Sequence, residues 1–196
     1  FCISIVSLVS RLVGAGQYKN AERFASLGFI LGIGFCLIIT IVVFFFGEEL
    51  LYLLGARNEI LKIGYSYIKI NSVGLFFFMS MRLLNSILIG YGNTFIPFIC
   101  SLIVLFIKSI LNYLLVFGIV FNTRGIDGSA IASTVAYLCG FVFCYYYTVF
   151  KSQVKFKPLY IFSVCFNDIK RILVLAIPCS MEEAAFSISK DRKSVV

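Results

Sequence analysis

The 196-residue chain is 61% hydrophobic and only 13% charged, with a mean hydropathy of +1.01. Soluble globular proteins are about 45–50% apolar and about 25% charged, because even a small domain needs a polar surface. The composition therefore excludes a soluble domain, a disordered chain and a disulfide-stapled secreted module. His and Trp are absent, which removes the commonest metal ligand and the commonest general base. We predict an all-α integral membrane protein, a polytopic helical bundle.

Apolar segments long enough to cross a bilayer follow one another along the chain. A helix rises about 1.5 Å per residue, so roughly 20 residues cross a hydrocarbon core of about 30 Å. The opening apolar run, residues 1–10, is too short for a crossing, and we interpret it as the end of a severed span. The predicted complete spans are residues 24–46, 66–89, 96–121 and 129–150, and a fifth begins near residue 169.

Lysine and arginine are distributed unequally between the connecting segments. If the spans alternate, one face carries eight basic residues and comprises residues 11–23, 90–95 and 151–171. The opposite face carries three and comprises residues 47–65 and 122–128. Because cytoplasmic loops are rich in Lys and Arg, loops 11–23 and 151–168 are predicted to be cytoplasmic in a multi-pass plasma-membrane protein. This asymmetry accounts for much of the net charge of +8, so no nucleic-acid partner is needed.

Five short motifs stand in a fixed order along the chain. They read LVSRLVGAGQYKNAER (8–23), LLYLLGA (50–56), GYGNTFIP (90–97), NYLLVFG (112–118) and GIDGSAIAST (125–134). In order, spacing and sidedness they resemble the multidrug and toxic compound extrusion (MATE) transporters. The resemblance covers nearly the whole chain before Asp191.

The resemblance implies a transporter of two six-helix lobes that works by alternating access, of which this chain runs from the end of helix two into helix seven. Residues 1–168 are then most of the first lobe, with 151–168 as the interlobe linker, and 169–190 begin the second lobe. Residues 191–196 break the apolar pattern and match the start of a sequencing adapter translated in one frame, so we interpret them as a sequencing artefact. The implied function is export of cationic or amphipathic toxic compounds in antiport with Na⁺ or H⁺, without catalysis or a cofactor. The implied partners are the lipid bilayer, small-molecule drugs or toxins, and the second lobe of the same chain.

A polar stripe interrupts the third complete span. Ser101, Lys108 and Asn112 follow a helical i, i+7, i+11 pattern, so they share one face. A central Lys costs about 2.5–3.5 kcal/mol for insertion, which the surrounding Leu, Ile, Phe and Val residues outweigh. Members of the family often have Asn and Asp at the positions of Lys108 and Asn112, lining a first-lobe cavity. We expect Lys108 to line that cavity in the place of a bound cation, or else to snorkel or pair structurally.

Two further sets of residues are candidates. Glu182 and Glu183 follow Pro178 in the fifth span, and acids in an apolar helix bind protons or cations because they are costly to bury. The resemblance implies an ion-coupling acid in this helix, and Glu182 is the stronger candidate. Tyr137 lies on a face of the fourth span with small residues, which indicates helix packing first and cavity lining second. No metal-binding set is recognised.

Two alternatives compete with the drug exporter. A flippase for lipid-linked oligosaccharides from the same superfamily would favour a more cationic cavity. The positive charge of Lys108 slightly favours this alternative. A membrane-embedded lipid enzyme would need a nucleophile and a base, and the chain has no recognisable set of this kind.

Overall fold

The computed structural model describes residues 2–55, 57–116 and 125–151, together with the single residues Val174, Pro178 and Met181. These residues are almost entirely helical and include no β-strand, which confirms the predicted all-α fold. The helices are α1 (Cys2–Gly14), α2 (Tyr18–Leu53), α3 (Asn58–Gly90), α4 (Phe95–Val116) and α5 (Gly125–Phe150). By length and composition, α2, α3, α4 and α5 can each cross a membrane, as the apolar spans predicted.

The connection between α2 and α3 is much shorter than predicted. The sequence predicted a polar connecting segment over residues 47–65, but α2 continues to Leu53 and α3 begins at Asn58. The 36 residues of α2 extend about 54 Å, which exceeds a hydrocarbon core of about 30 Å. A helix of this length projects beyond the lipid, where Glu48 and Glu49 stay exposed. The predicted loop is wrong because the change in polarity marks the membrane boundary and not the helix end.

Helix α3 is the central element of the bundle and contacts each of the other four described helices. One of its faces packs Leu83 and Ile87 against residues of α1 and α2. Another face packs Leu84 and Leu88 against residues of α4 and α5. Every residue from 83 to 88 is consequently buried, so α3 holds the two halves of the described bundle together.

The connecting segment predicted over residues 90–95 forms a turn after α3, and this turn is tied to α5. Gly92 adopts a φ of +84°, a left-handed conformation that favours glycine. The Asn93 side chain accepts a hydrogen bond from the Ile96 backbone N–H at 3.3 Å and donates one to the Tyr147 hydroxyl at 3.5 Å. Burial, with a smaller contribution from the Glu22 carboxylate, raises the pKa of Tyr91 to about 12, so this phenol stays protonated at neutral pH.

The start of α5 approaches the end of α4 at a glycine. A Cβ atom on Gly128 would lie 2.9 Å from the backbone oxygen of Leu115 and 3.2 Å from its carbonyl carbon. These are backbone atoms, so a clash cannot be relieved by changing a rotamer. Gly34 of α2 is a contrasting helical glycine, because a Cβ there would meet no atom within 4 Å.

Gly128→Ala is therefore expected to destabilise the packing of α5 on α4. Overpacking a tight contact typically costs about 1–3 kcal/mol. The thermal unfolding midpoint of the intact protein in detergent should fall, whereas Gly34→Ala should leave it unchanged or raise it, because alanine favours a helix. Equal midpoints for the two variants would contradict the close α4–α5 contact.

Candidate functional site

Two of the predicted site residues meet across the interface between α4 and α5. Lys108 is half-buried in the middle of α4, and its Nζ lies 5.5 Å from the centroid of the Tyr137 ring of α5. Tyr137 in turn contacts Phe78 of α3, with ring centroids 4.9 Å apart. Three helices thus position one cation against an aromatic pair.

The aromatic contact compensates only part of the cost of placing Lys108 in a membrane. A cation–π contact contributes about 0.5–2 kcal/mol, whereas a central Lys costs about 2.5–3.5 kcal/mol on the insertion scale. Among the side chains that the structure describes, no carboxylate forms an ion pair with Lys108. The positive charge of Lys108 is therefore only partly compensated within the described bundle.

The other two residues of the polar stripe differ in what their polar atoms do. Asn112, one turn beyond Lys108, has a buried Oδ1 atom that makes no hydrogen bond to any described group. The Ser101 hydroxyl instead donates to the Pro97 carbonyl of its own helix at 2.9 Å. The Asn112 Oδ1 atom, one turn from Lys108, therefore has no described hydrogen-bond partner. The Ser101 hydroxyl already has one, and Ser101 lies about 10 Å from Lys108 towards the start of α4.

A carboxylate that the sequence analysis did not select lies between α3 and α5. The Ser66 hydroxyl donates a 3.0 Å hydrogen bond to Oδ2 of Asp127, in the first turn of α5. The other carboxylate oxygen, Oδ1, is buried and makes no hydrogen bond to a described group. The sequence signal for this site was an acid at the start of an apolar span. Its partner in α3 is 61 residues away in sequence, so the sequence alone did not indicate the pair.

A cavity of about 470 Å³ opens between α1, α2 and α3. Its walls are mostly apolar and include Phe35, Phe78 and Met79, while Arg82 supplies a guanidinium. Arg82 lies in the second half of α3, eight residues before the helix ends at Gly90. The structure places its side chain, which is exposed, on the wall of this cavity.

The predicted ion-coupling acids Glu182 and Glu183 lie outside the described residues. Of the same segment, Pro178 and Met181 are described as helical and exposed. The structure therefore brings Lys108 and Tyr137 together, with Asn112 one helical turn from Lys108, and leaves the role of the two acids as a prediction.

Comparisons with known proteins converge on one family. The family model MatE matches residues 1–114. The chain is 23% identical over 184 residues to a probable multidrug resistance protein NorM of Agrobacterium fabrum (strain C58), which covers 92% of this chain and 39% of that protein. It is 29% identical over 139 residues to the multidrug export protein MepA of Staphylococcus aureus (strain bovine RF122), which covers 70% of this chain and 31% of that protein.

A solved structure of a MATE protein in a bent conformation has the same arrangement of helices. It superposes with a TM-score of 0.86 at 22% sequence identity, covering 96% of this chain and 42% of that chain. At this identity the likeness shows the fold. The chain thus spans less than half the length of these relatives.

Removing the hydroxyl of Ser66 should destabilise the protein more than removing that of Ser101. Ser66→Ala leaves the half-buried Asp127 carboxylate without its described donor, and hydrogen bonds to charged groups contribute about 1.5–3 kcal/mol. Ser101→Ala removes only a bond within its own helix. We expect a lower unfolding midpoint for Ser66→Ala in detergent and an unchanged one for Ser101→Ala; the reverse order would be inconsistent with the contact.

Proposed function

The chain belongs to the MatE family, and from this membership we propose that the whole protein is a secondary active multidrug exporter. The family match over residues 1–114 carries the proposal. The relatives reported above are named as multidrug resistance and multidrug export proteins, which supports drug export over the flippase alternative. Because the chain spans less than half of those relatives, the activity is proposed for the whole protein and not for this segment alone.

The proposed organisation has two lobes that alternate in access. Residues 1–168 form most of the first lobe, with 151–168 linking it to a second lobe that begins with residues 169–190. Residues 191–196 belong to neither lobe. The coverage of 42% of a solved MATE chain supports a chain with less than half of a two-lobe protein, as expected for most of one lobe and the start of the next.

The proposed substrates are cationic or amphipathic toxic compounds, exchanged for Na⁺ or H⁺. Apolar and aromatic walls bind such compounds broadly, because burial of apolar surface does not depend on a fixed geometry. Coupling requires that an ion changes the preference of the transporter for one conformation. We assign this role to Glu182, with Glu183 as the second candidate, since a carboxylate in an apolar helix is costly to bury and binds a proton or cation.

Glu182→Gln is expected to abolish ion-driven export while leaving membrane insertion intact. The amide keeps the size of the side chain but neither ionises nor holds a cation. Dye efflux from vesicles containing the intact protein, driven by an imposed Na⁺ or pH gradient, should fall to the rate of protein-free vesicles. Glu183→Gln distinguishes the two candidates, because it should retain ion-driven export if Glu182 is the coupling acid. Undiminished export in Glu182→Gln would refute the assignment.

The proposed sidedness places loops 11–23 and 151–168 in the cytoplasm of a multi-pass plasma-membrane protein. Two exposed positions on opposite ends of α2 allow a direct test, Gln17 before the helix and Arg57 after it. In a cysteine-free background, Arg57→Cys should react with a membrane-impermeant maleimide added to intact cells, and Gln17→Cys should react only after permeabilisation. The opposite labelling pattern would invert the topology.

A further inference from the structure

Lys108 is a cation in the middle of a span, and its described partner is the aromatic ring of Tyr137 and not a carboxylate. Its Nζ faces Tyr137 at 5.5 Å, and this contact compensates only part of its charge. A charge held inside a membrane bundle is otherwise stabilised by a counter-charge or a wet cavity. The described bundle supplies no such counter-charge at Lys108, so an anion would be favoured there.

The acids whose side chains the structure describes are all placed elsewhere. Glu22 lies near the start of α2, and Glu48 and Glu49 lie near its end. Asp127 is engaged by Ser66, and it precedes Tyr137 by ten residues, which is about 15 Å along α5. Among the described residues, no carboxylate therefore balances the charge of Lys108 at the α4–α5 interface.

Asn112 adds a directional group next to this charge. It follows Lys108 by four residues, so the two side chains lie on the same side of α4. Its Oδ1 is buried without a described partner, and rotation of the amide by half a turn would present the NH₂ donor in its place. A cation and an amide donor one turn apart suit a carboxylate or sulfonate, while the Tyr137–Phe78 pair offers an apolar wall.

We propose that Lys108 and Asn112 form a binding point for the anionic group of an amphipathic substrate. This rests on the proposed export function and narrows its substrates to amphipathic compounds that carry an acidic group, at the expense of permanent cations. The site lies on residues of the first lobe and is separate from the coupling acids proposed in the second.

The test compares two dansyl amides of equal size, one ending in a sulfonate and the other in a trimethylammonium. Binding to the purified intact protein is followed by the rise in dansyl fluorescence. We expect the wild type to bind the sulfonate at least tenfold more tightly, and Lys108→Met to bind both probes within threefold of each other. Lys108→Arg should keep the preference because it keeps the charge.

Lys69→Met is the matched control. Lys69 is an exposed lysine in a spanning helix that also contacts aromatic rings, with Nζ 5.3 Å from Phe44 and 5.8 Å from Tyr65. Its replacement removes the same charge at another place, so the tenfold preference should remain. Equal binding of the two probes by the wild type, or an equal loss of preference in Lys69→Met and Lys108→Met, would overturn the proposal.

Removing Lys108 lowers the cost of insertion, so Lys108→Met should fold at least as well as the wild type. If its unfolding midpoint drops and the preference stays, Lys108 belongs to a structural ion pair and the proposal fails.

Vesicles with and without phosphatidylglycerol distinguish two sources of the anion, because competition by this lipid would identify a lipid headgroup as the occupant. Intact binding preference without ion-driven efflux of either probe would refute the exporter and leave the anion site standing.

Discussion

Helix α3 buries two of its faces at the same level of the bundle, one against α1 and α2 and the other against α4 and α5. The positions of the other described helices depend on this double packing. Leu83 and Ile87 pack against α1 and α2, whereas Leu84 and Leu88 pack against α4 and α5. Apolar side chains gain little by moving from lipid into protein, so membrane helices associate through close packing and interhelical hydrogen bonds. Close contacts at small residues such as Gly128 and interhelical hydrogen bonds such as that from Ser66 to Asp127 therefore stabilise this bundle.

Polar contacts between α3 and α5 fix the orientation of α5. Ser66 donates to Asp127 near the start of α5, and the Cys144 thiol donates to Asn85 at 3.1 Å nearer its end. Tyr137 lies between these two contacts, and its ring is held against both Phe78 and Lys108. The cation–π contact is thus a consequence of how α3 holds α5, and not of any pairing visible within one helix.

The two proposed charged sites would have different tasks in the proposed exporter. Lys108 places a positive charge in α4, so a mobile cation gains nothing by binding next to it. In the proposed scheme, coupling to Na⁺ or H⁺ would depend on the acids proposed for the second lobe, with Glu182 as the first candidate. Such a separation allows an anionic substrate and a coupling cation to bind without competing for the same group.

The sequence by itself determined the membrane class, the four spans and the connection at residues 90–95, because each depends on local hydropathy and on short-range backbone preferences. It also placed Lys108 and Asn112 on one helical face. The predicted loop 47–65 was wrong, since hydropathy reports where the lipid ends and not where hydrogen bonding within a helix ends. Only the tertiary structure decided that Tyr137 covers Lys108 and that Ser66 binds Asp127, because these contacts join helices whose relative rotation is set by α3 and is not encoded in any single span.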